Sequence, residues 1–537
     1  MNIIGISFFL PLFLFQLSNS AYVDIKTVMA QGQGFSITGV PLLGKSVDGI
    51  GDFNGDGYDD IIITSFWKFD PLGPVYVIYG SKSPHSETRV DQELPPSEGF
   101  VIRETEPESY LGYFASGIGD INGDGLADIM VGAKEANKGV GAAYVIFGNR
   151  TPLSTLFPQQ GLDPSQGFAI LGSLPNEEMG ASGSRAGDIN GDGIDDFMVG
   201  TDRYGYTHSK VYVIFGSKQA FSTMIPSQNF TLSQGFIISG ADESYEQMGS
   251  SLSKAGDING DGIDDIIIGA VTSNQNAGAA YVIYGSREPF QNITPSLGLP
   301  RSQGFAILGK TPSENVGESV SGAGDVNGDG IDDVIIGAYS LANWRGAAYV
   351  IYGNKNSSST IVPNASLDAS QGFAMYGDIE HTALGQSVSG IGDINQDGFD
   401  DLIIVASLIH GGLGEAYLIY GKKNHTSFVI PATGLDSSQG IVFHGQTLSE
   451  GKPFYVGASA NAGDVNGDGI DDIILGCTNA YTAYIIYGWS KVYYFNLKLT
   501  YFPRNMQPRF LLPPSFRRAN QLPLETPNYH LLDFGSL

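Results

Sequence analysis

Gly256-Asp257-Ile258-Asn259-Gly260-Asp261-Gly262-Ile263-Asp264-Asp265 is one of seven near-identical stretches in a chain of 537 residues. The copies begin at Gly51, Gly119, Gly187, Gly256, Gly324, Gly392 and Gly463, a spacing of 68 to 71 residues. A fixed period of this length means that one supersecondary unit is repeated and that neighbouring units bury each other's faces. Around the fifth copy the unit reads as four short strands: Ser319–Gly324 before the acidic loop, Val334–Gly337 after it, then Ala347–Gly353 and Gln371–Tyr376. Each is a β-branched or aromatic run bounded by Gly, Asn, Asp or Pro, and none shows a sustained helical period. Four short strands per repeat make a propeller blade, so the expected fold is all-β, a seven-bladed β-propeller with four-stranded blades.

The Gln-Gly-Phe element that opens the fourth strand adds a sharper expectation. It stands at Gln33-Gly34-Phe35 and recurs near Phe100, Phe168, Phe236, Phe305, Phe373 and Ile441. One copy therefore precedes the first blade and none follows the last. The strand near Phe35 is predicted to complete the seventh blade, closing the ring and removing an open sheet edge.

Residues 3–15 are almost wholly apolar, with small residues Ser18 and Ser20 before Ala21, so 1–20 reads as a signal peptide. The propeller is expected over 21–488, and 489–537, Pro-rich and basic with no repeat element, as a disordered or loosely docked tail. No other stretch is long and apolar enough for a membrane span, so a secreted protein is expected, at the cell surface only through a partner. Cys477 is the sole cysteine, which rules out an internal disulfide, and it reads as a small buried residue at a strand end. Six Asn-X-Ser/Thr sequons, at Asn149, Asn229, Asn292, Asn356, Asn364 and Asn424, all fall between a third strand and the next Gln-Gly-Phe, which points to glycosylated surface loops.

The formal net charge is -28, and 27 of the 56 acidic residues lie in the seven repeat loops. This excludes a nucleic-acid footprint and points to cations. Counted from the first Asp, positions 1, 3, 5 and 9 are Asp, Asn, Asp and Asp throughout, and position 6 is always Gly, which permits the sharp turn that lets side chains converge. Hard oxygens at alternate positions with a carbonyl at position 7 suit calcium. The predicted ligands are Asp52, Asn54, Asp56, Tyr58 and Asp60 in the first loop, and Asp120, Asn122, Asp124, Leu126 and Asp128 in the second. In the third and fourth they are Asp188, Asn190, Asp192, Ile194, Asp196, and Asp257, Asn259, Asp261, Ile263, Asp265. The fifth has Asp325, Asn327, Asp329, Ile331, Asp333; the sixth Asp393, Asn395, Asp397, Phe399, Asp401; the seventh Asp464, Asn466, Asp468, Ile470, Asp472. Tyr58, Leu126, Ile194, Ile263, Ile331, Phe399 and Ile470 would act through their carbonyls, and up to seven ions are expected.

Position 8 is Asp except at Ala127 and is placed outside the cage. An EF-hand is excluded, because position 12 is apolar and lies within a strand. A bare turn does not need three converging carboxylates, since each pair at about 4 Å repels by roughly 4 kcal/mol at an effective dielectric of 20. Gln396 replaces the position-4 glycine of the sixth loop, where weaker binding is expected.

The pattern resembles the FG-GAP repeat, the unit of the integrin α-subunit β-propeller. The resemblance covers about residues 33–488. Its motifs are the Asp-X-Asn-X-Asp-Gly-X-X-Asp loop, the Leu/Met-Gly before it (Leu111-Gly112, Met248-Gly249, Leu384-Gly385) and the Gly-Ala after it (Gly132-Ala133, Gly269-Ala270, Gly337-Ala338). It implies calcium in the loops on one rim and ligands on the opposite face. The family's α subunits continue into further domains, a membrane span and a cytoplasmic tail, whereas the repeats here are followed only by 489–537, so a free-standing relative is expected.

Strand order places the acidic loops and sequons on one rim. The other rim carries Trp67, Phe69, Tyr110, Tyr204, Tyr206, Tyr245, Tyr339 and Trp344 on its connections, the candidate ligand face. The expected function is calcium-dependent adhesion or extracellular recognition of a protein or glycan ligand, without catalysis. Two alternatives are a structural coat protein and a propeller hydrolase or lyase. Against an enzyme stand the scattered histidines and the absence of a His-Glu-X-X-His signature. The pattern leaves the oligomeric state open.

Overall fold

The computed structural model describes residues 22–65, 73–82, 87–105, 108–202, 209–241, 246–355, 360–363, 367–409, 414–430, 434–444 and 456–489. The predicted signal peptide and the tail beyond Trp489 lie outside them. Seven four-stranded antiparallel blades form the ring, each running from an inner strand outward. Blade 2 is typical: Leu111–Gly119, Asp128–Ala133, Ala142–Ile146 and Gly167–Leu171. The acidic loop joins its first two strands, with Gly119 paired to Asp128 after a register shift that tightens the hairpin.

The second strand of each blade is buried along its whole length, as in Asp60–Ser65 and Asp265–Ala270. It is covered on both faces by neighbouring blades, which explains a continuous β-branched run where a half-solvated strand would alternate. Seven hydrophobic clusters result, one in each gap between adjacent blades. Cys477 ends the second strand of blade 7 fully buried, as the sequence predicted.

The ring closes as expected. Gly34–Thr38 pairs antiparallel with Thr482–Ile486, with Phe35 opposite Ile485, and so becomes the outer strand of blade 7.

A fifth segment on every blade was not foreseen. The connection leading to each outer strand reaches back and pairs, in parallel, with the outer strand of the preceding blade. Thr360–Ile361, Phe428–Ile430, Tyr22–Asp24 and Glu87–Arg89 do so on blades 4, 5, 6 and 7. Single bridges do so on blades 1, 2 and 3, through Leu156, Met224 and Ile293. These straps cover edges that would otherwise offer unpaired N–H and C=O groups to another chain. The sequons of Asn149, Asn229, Asn292 and Asn424 lie on or beside them, and the Asn292 Oδ1 accepts the Ile237 N–H at 2.9 Å. Asn356 and Asn364 lie outside the described residues.

Candidate functional site

The acidic loops share one hydrogen-bonded geometry. In the first, the Asp52 carboxylate accepts the N–H groups of Gly55 (2.7 Å), Asp56 (3.0 Å) and Gly57 (2.9 Å). The bond from the position-6 glycine to the first Asp recurs in all seven loops at 2.7–2.9 Å. Asn54 Oδ1 accepts the Asp56 N–H (2.8 Å), and Asp56 Oδ1 accepts that of Tyr58 (3.1 Å). Such side-chain-to-backbone bonds are why Asp and Asn alternate here: each carboxylate or amide oxygen winds the loop around itself.

Position 9 is a keystone as well as a charge. Asp60 is fully buried; its Oδ2 accepts the Phe53 N–H (3.0 Å) and its Oδ1 that of Gly80 (2.8 Å), at the end of the third strand. The bond to that glycine is present in every blade, at 2.7–2.9 Å. Burial is the largest influence on Asp60, Asp128, Asp196, Asp265, Asp333, Asp401 and Asp472 and pushes each carboxyl up to about 8; the position-5 carboxylate adds to the rise, and the backbone donors oppose it.

Among the described residues, no three acidic, histidine or cysteine side chains lie together as a group able to hold a metal. The position-9 oxygens also accept backbone N–H groups, with the position-1 and position-5 carboxylates close enough to raise the position-9 carboxyl further. The donor chemistry nonetheless fits a hard cation. Every loop offers carboxylate and amide oxygens only, and Asn395 Oδ1 in the sixth loop is buried with no hydrogen-bond partner. An orphaned buried acceptor is what an oxygen-seeking cation satisfies. Gln396 in that loop takes the left-handed conformation (φ 54) that Gly55 (φ 74) takes in the first, so the turn survives the substitution.

Position 8 proves to be a latch between blades. The N–H groups of Asp120, Asp188, Asp257, Asp325 and Asp464, each the first residue of a loop, donate at 2.7–3.0 Å to Asp195, Asp264, Asp332, Asp400 and Asp59 of the next blade round the ring. The glycine preceding each of these N–H groups is obligatory, since a Cβ on Gly119, Gly187, Gly256, Gly324 or Gly463 would lie 2.1–2.3 Å from the latch carboxylate. Blade 2 presents Ala127 instead. Gly51 (φ 74) has the same left-handed conformation as Gly119 and Gly187, so Ala127→Asp is expected to form the missing latch to the Asp52 N–H. A stability gain of about 1 kcal/mol in calcium is expected. An unchanged or lower denaturation midpoint would show that the seam between blades 1 and 2 does not accept it.

On the opposite rim, Tyr339 and Trp344 meet edge to face (5.4 Å between centroids), and Trp344 is 43% exposed. Tyr110 stands apart, before the inner strand of blade 2. Trp67, Phe69, Tyr204, Tyr206 and Tyr245 lie outside the described residues. Reading for aromatics alone missed two aliphatic neighbours, Ile379 and Leu408, exposed at 41% and 39%. The Trp344 carbonyl accepts the Thr382 N–H (2.9 Å), and the Thr382 carbonyl accepts that of Leu408 (3.1 Å), which ties together the connections of blades 5 and 6 that carry these exposed residues.

Three segments match the FG-GAP repeat family: 112–146, 248–283 and 316–351, the first three strands of blades 2, 4 and 5. The chain is 27% identical to integrin alpha pat-2 of Caenorhabditis elegans over 375 residues, 66% of this chain and 27% of that protein. It is 25% identical to chicken (Gallus gallus) integrin alpha-V over 324 residues, 59% of this chain and 28% of that one. With Xenopus laevis integrin alpha-4 the identity is 31% over 231 residues, 43% of this chain and 20% of that one. The matches thus span about a fifth to just over a quarter of these relatives. Repeats, ring and relatives agree: the chain carries FG-GAP repeats in a seven-bladed β-propeller and is similar in sequence to integrin alpha subunits over the part they share.

Proposed function

We propose that the protein is a secreted, non-catalytic adhesion or recognition module that binds calcium in its acidic loops and a protein or glycan ligand on the opposite rim. The observation that carries the ligand face is the exposure of Trp344, Ile379 and Leu408 on hydrogen-bonded connections of the rim that has neither acidic loops nor sequons. Exposed apolar surface favours binding, and tryptophan is the residue type most often dominant in such contacts. In each loop the first Asp, the Asn and the second Asp, with the position-7 carbonyl and the buried position-9 Asp, would hold the ion. Calcium supplies there the positive charge that the clustered carboxylates lack. Likeness to integrin alpha subunits supports adhesion over catalysis.

Binding of the purified protein to cell surfaces and extracellular matrix, in calcium, tests this reading. Trp344→Ala is expected to weaken binding at least about tenfold, a loss of about 1.4 kcal/mol, without moving the melting temperature, since Trp344 is a surface residue. Undiminished binding by the variant would remove Trp344 from the ligand face. Failure of the folded wild type to bind any surface would favour a coat protein.

A further inference from the structure

The seven inner strands enclose a central cavity of about 520 Å³, within the size range of small-molecule sites. Its wall is mostly small residues. The residue two before each loop-opening glycine is Gly49, Gly117, Gly322 or Gly390 in four blades and Asn461 in the seventh. Blades 3 and 4, side by side, carry Arg185 and Lys254 there instead, and both line the cavity.

The serines nearby are already in use. Ser253 and Ser321 accept the N–H groups of Gly322 and Gly390 on the next blade (3.3 Å each), and Ser116 donates to Asp48 (2.6 Å). The carboxylates are committed too. Asp48 Oδ2 accepts Ser116 and the Gly117 N–H (3.2 Å). Asp264 takes Lys254 at 2.9 Å as well as the Asp188 N–H, and Asp332 takes the Asp257 N–H.

Arg185 is left loosely held. Its guanidinium makes one long hydrogen bond, to the Gly49 carbonyl at 3.4 Å, and comes no nearer than 3.9 Å to Asp48 Oδ1; its side chain is 44% exposed. A planar fork of five donors, mostly unsatisfied and facing a polar cavity, is built to take two oxygens at once. We propose that the channel binds a small oxyanion, a sulfate or carboxylate group, bidentate on Arg185, the cavity's cation without a close carboxylate partner. The anion is either free in solution or the acidic group of a sugar; the grip is the same.

Calorimetric titration of the whole protein, in calcium and at ionic strength held constant with chloride, separates these sources. The probes are inorganic sulfate, a sulfated monosaccharide and its unsulfated parent. The expected result is one saturable site for at least one sulfated probe and none for the neutral sugar. Arg185→Gly, the residue found there in four other blades, is expected to weaken binding at least tenfold. Arg185→Lys keeps the charge, loses the fork and is expected to weaken it nearly as much. Tighter binding of the sugar sulfate than of sulfate identifies a saccharide ligand; equal binding identifies the free ion. No saturable binding of either probe to the wild type, or undiminished binding by Arg185→Lys, would overturn the proposal.

Discussion

Stripping calcium from the protein at about pH 8 is expected to lower its melting temperature steeply, and the drop is expected to shrink as the pH falls toward about 5. The cause lies in the seven position-9 carboxyls. Burial raises each from 3.8 to about 8 in the folded, cation-free state. A group raised on folding contributes stability that is fully present below its unfolded value and is lost as pH climbs through its folded value. Cation-free protein therefore weakens between about pH 4 and pH 8, as each loop must bury an uncompensated negative charge beside two others. A bound cation replaces the proton and removes that slope. At a free concentration a hundredfold above its dissociation constant, each ion adds about 2.7 kcal/mol. Seven such terms are large against a typical total stability of about 5–15 kcal/mol. The check is thermal unfolding across this pH range in millimolar calcium, in magnesium and in chelator. Superimposable curves in calcium and chelator at every pH would sink the metal assignment. Equal rescue by magnesium would sink the choice of calcium.

The second large effect concerns the ring's seam. Deleting residues 21–40 is expected to leave a chain that melts far lower and self-associates. The deletion removes the outer strand of blade 7, with Phe35 and Ile37 at 2% and 0% exposure, and the strap on blade 6. It also removes Ile25 and Val28, which pack into the core between blades 6 and 7. Thr482–Ile486 would then stand as an uncovered edge, and exposed apolar edges pair with other chains. A milder variant isolates the packing: Phe35→Ala is expected to cost about 3–5 kcal/mol, the usual range for emptying a buried aromatic site. Light scattering and denaturant unfolding measure both. A deletion variant that stays monomeric and melts with the full chain would show that the seam is held elsewhere.

What the repeat made legible was considerable. The four strands of each blade, their count of seven and the closure through Phe35 followed from a pattern written seven times over. The winding of the loops followed from residue type at fixed spacing, because the side chains at positions 1, 3 and 5 bond to backbone within five residues of themselves, as Asp52 does to Gly57. The glycine at position 6 and the exception at Gln396 belong to the same local account.

The features that escaped share a different property, in that their partners lie a blade away. Straps such as Thr360–Ile361 are two or three residues long, too short to show a period, and their pairing is fixed only when the preceding blade presents its outer edge. Position 8 read as a spare acid because its partner, the first N–H of the neighbouring loop, is about a full repeat distant: Asp195 serves Asp120. The second role of position 9 was hidden for the same reason, since nothing local reveals that Gly80, twenty residues on, donates to one of its oxygens. Arg185 shows the limit most plainly, since its place in a channel exists only once seven inner strands have met. The blade, the number of blades and the oxygen-rich loops are written in the amino-acid order, since short-range hydrogen bonding and hydrophobic periodicity act within one repeat. The latches, the straps and the central cavity come into being on assembly of the ring, because each arises where the surfaces of different blades come together and no single repeat contains both halves.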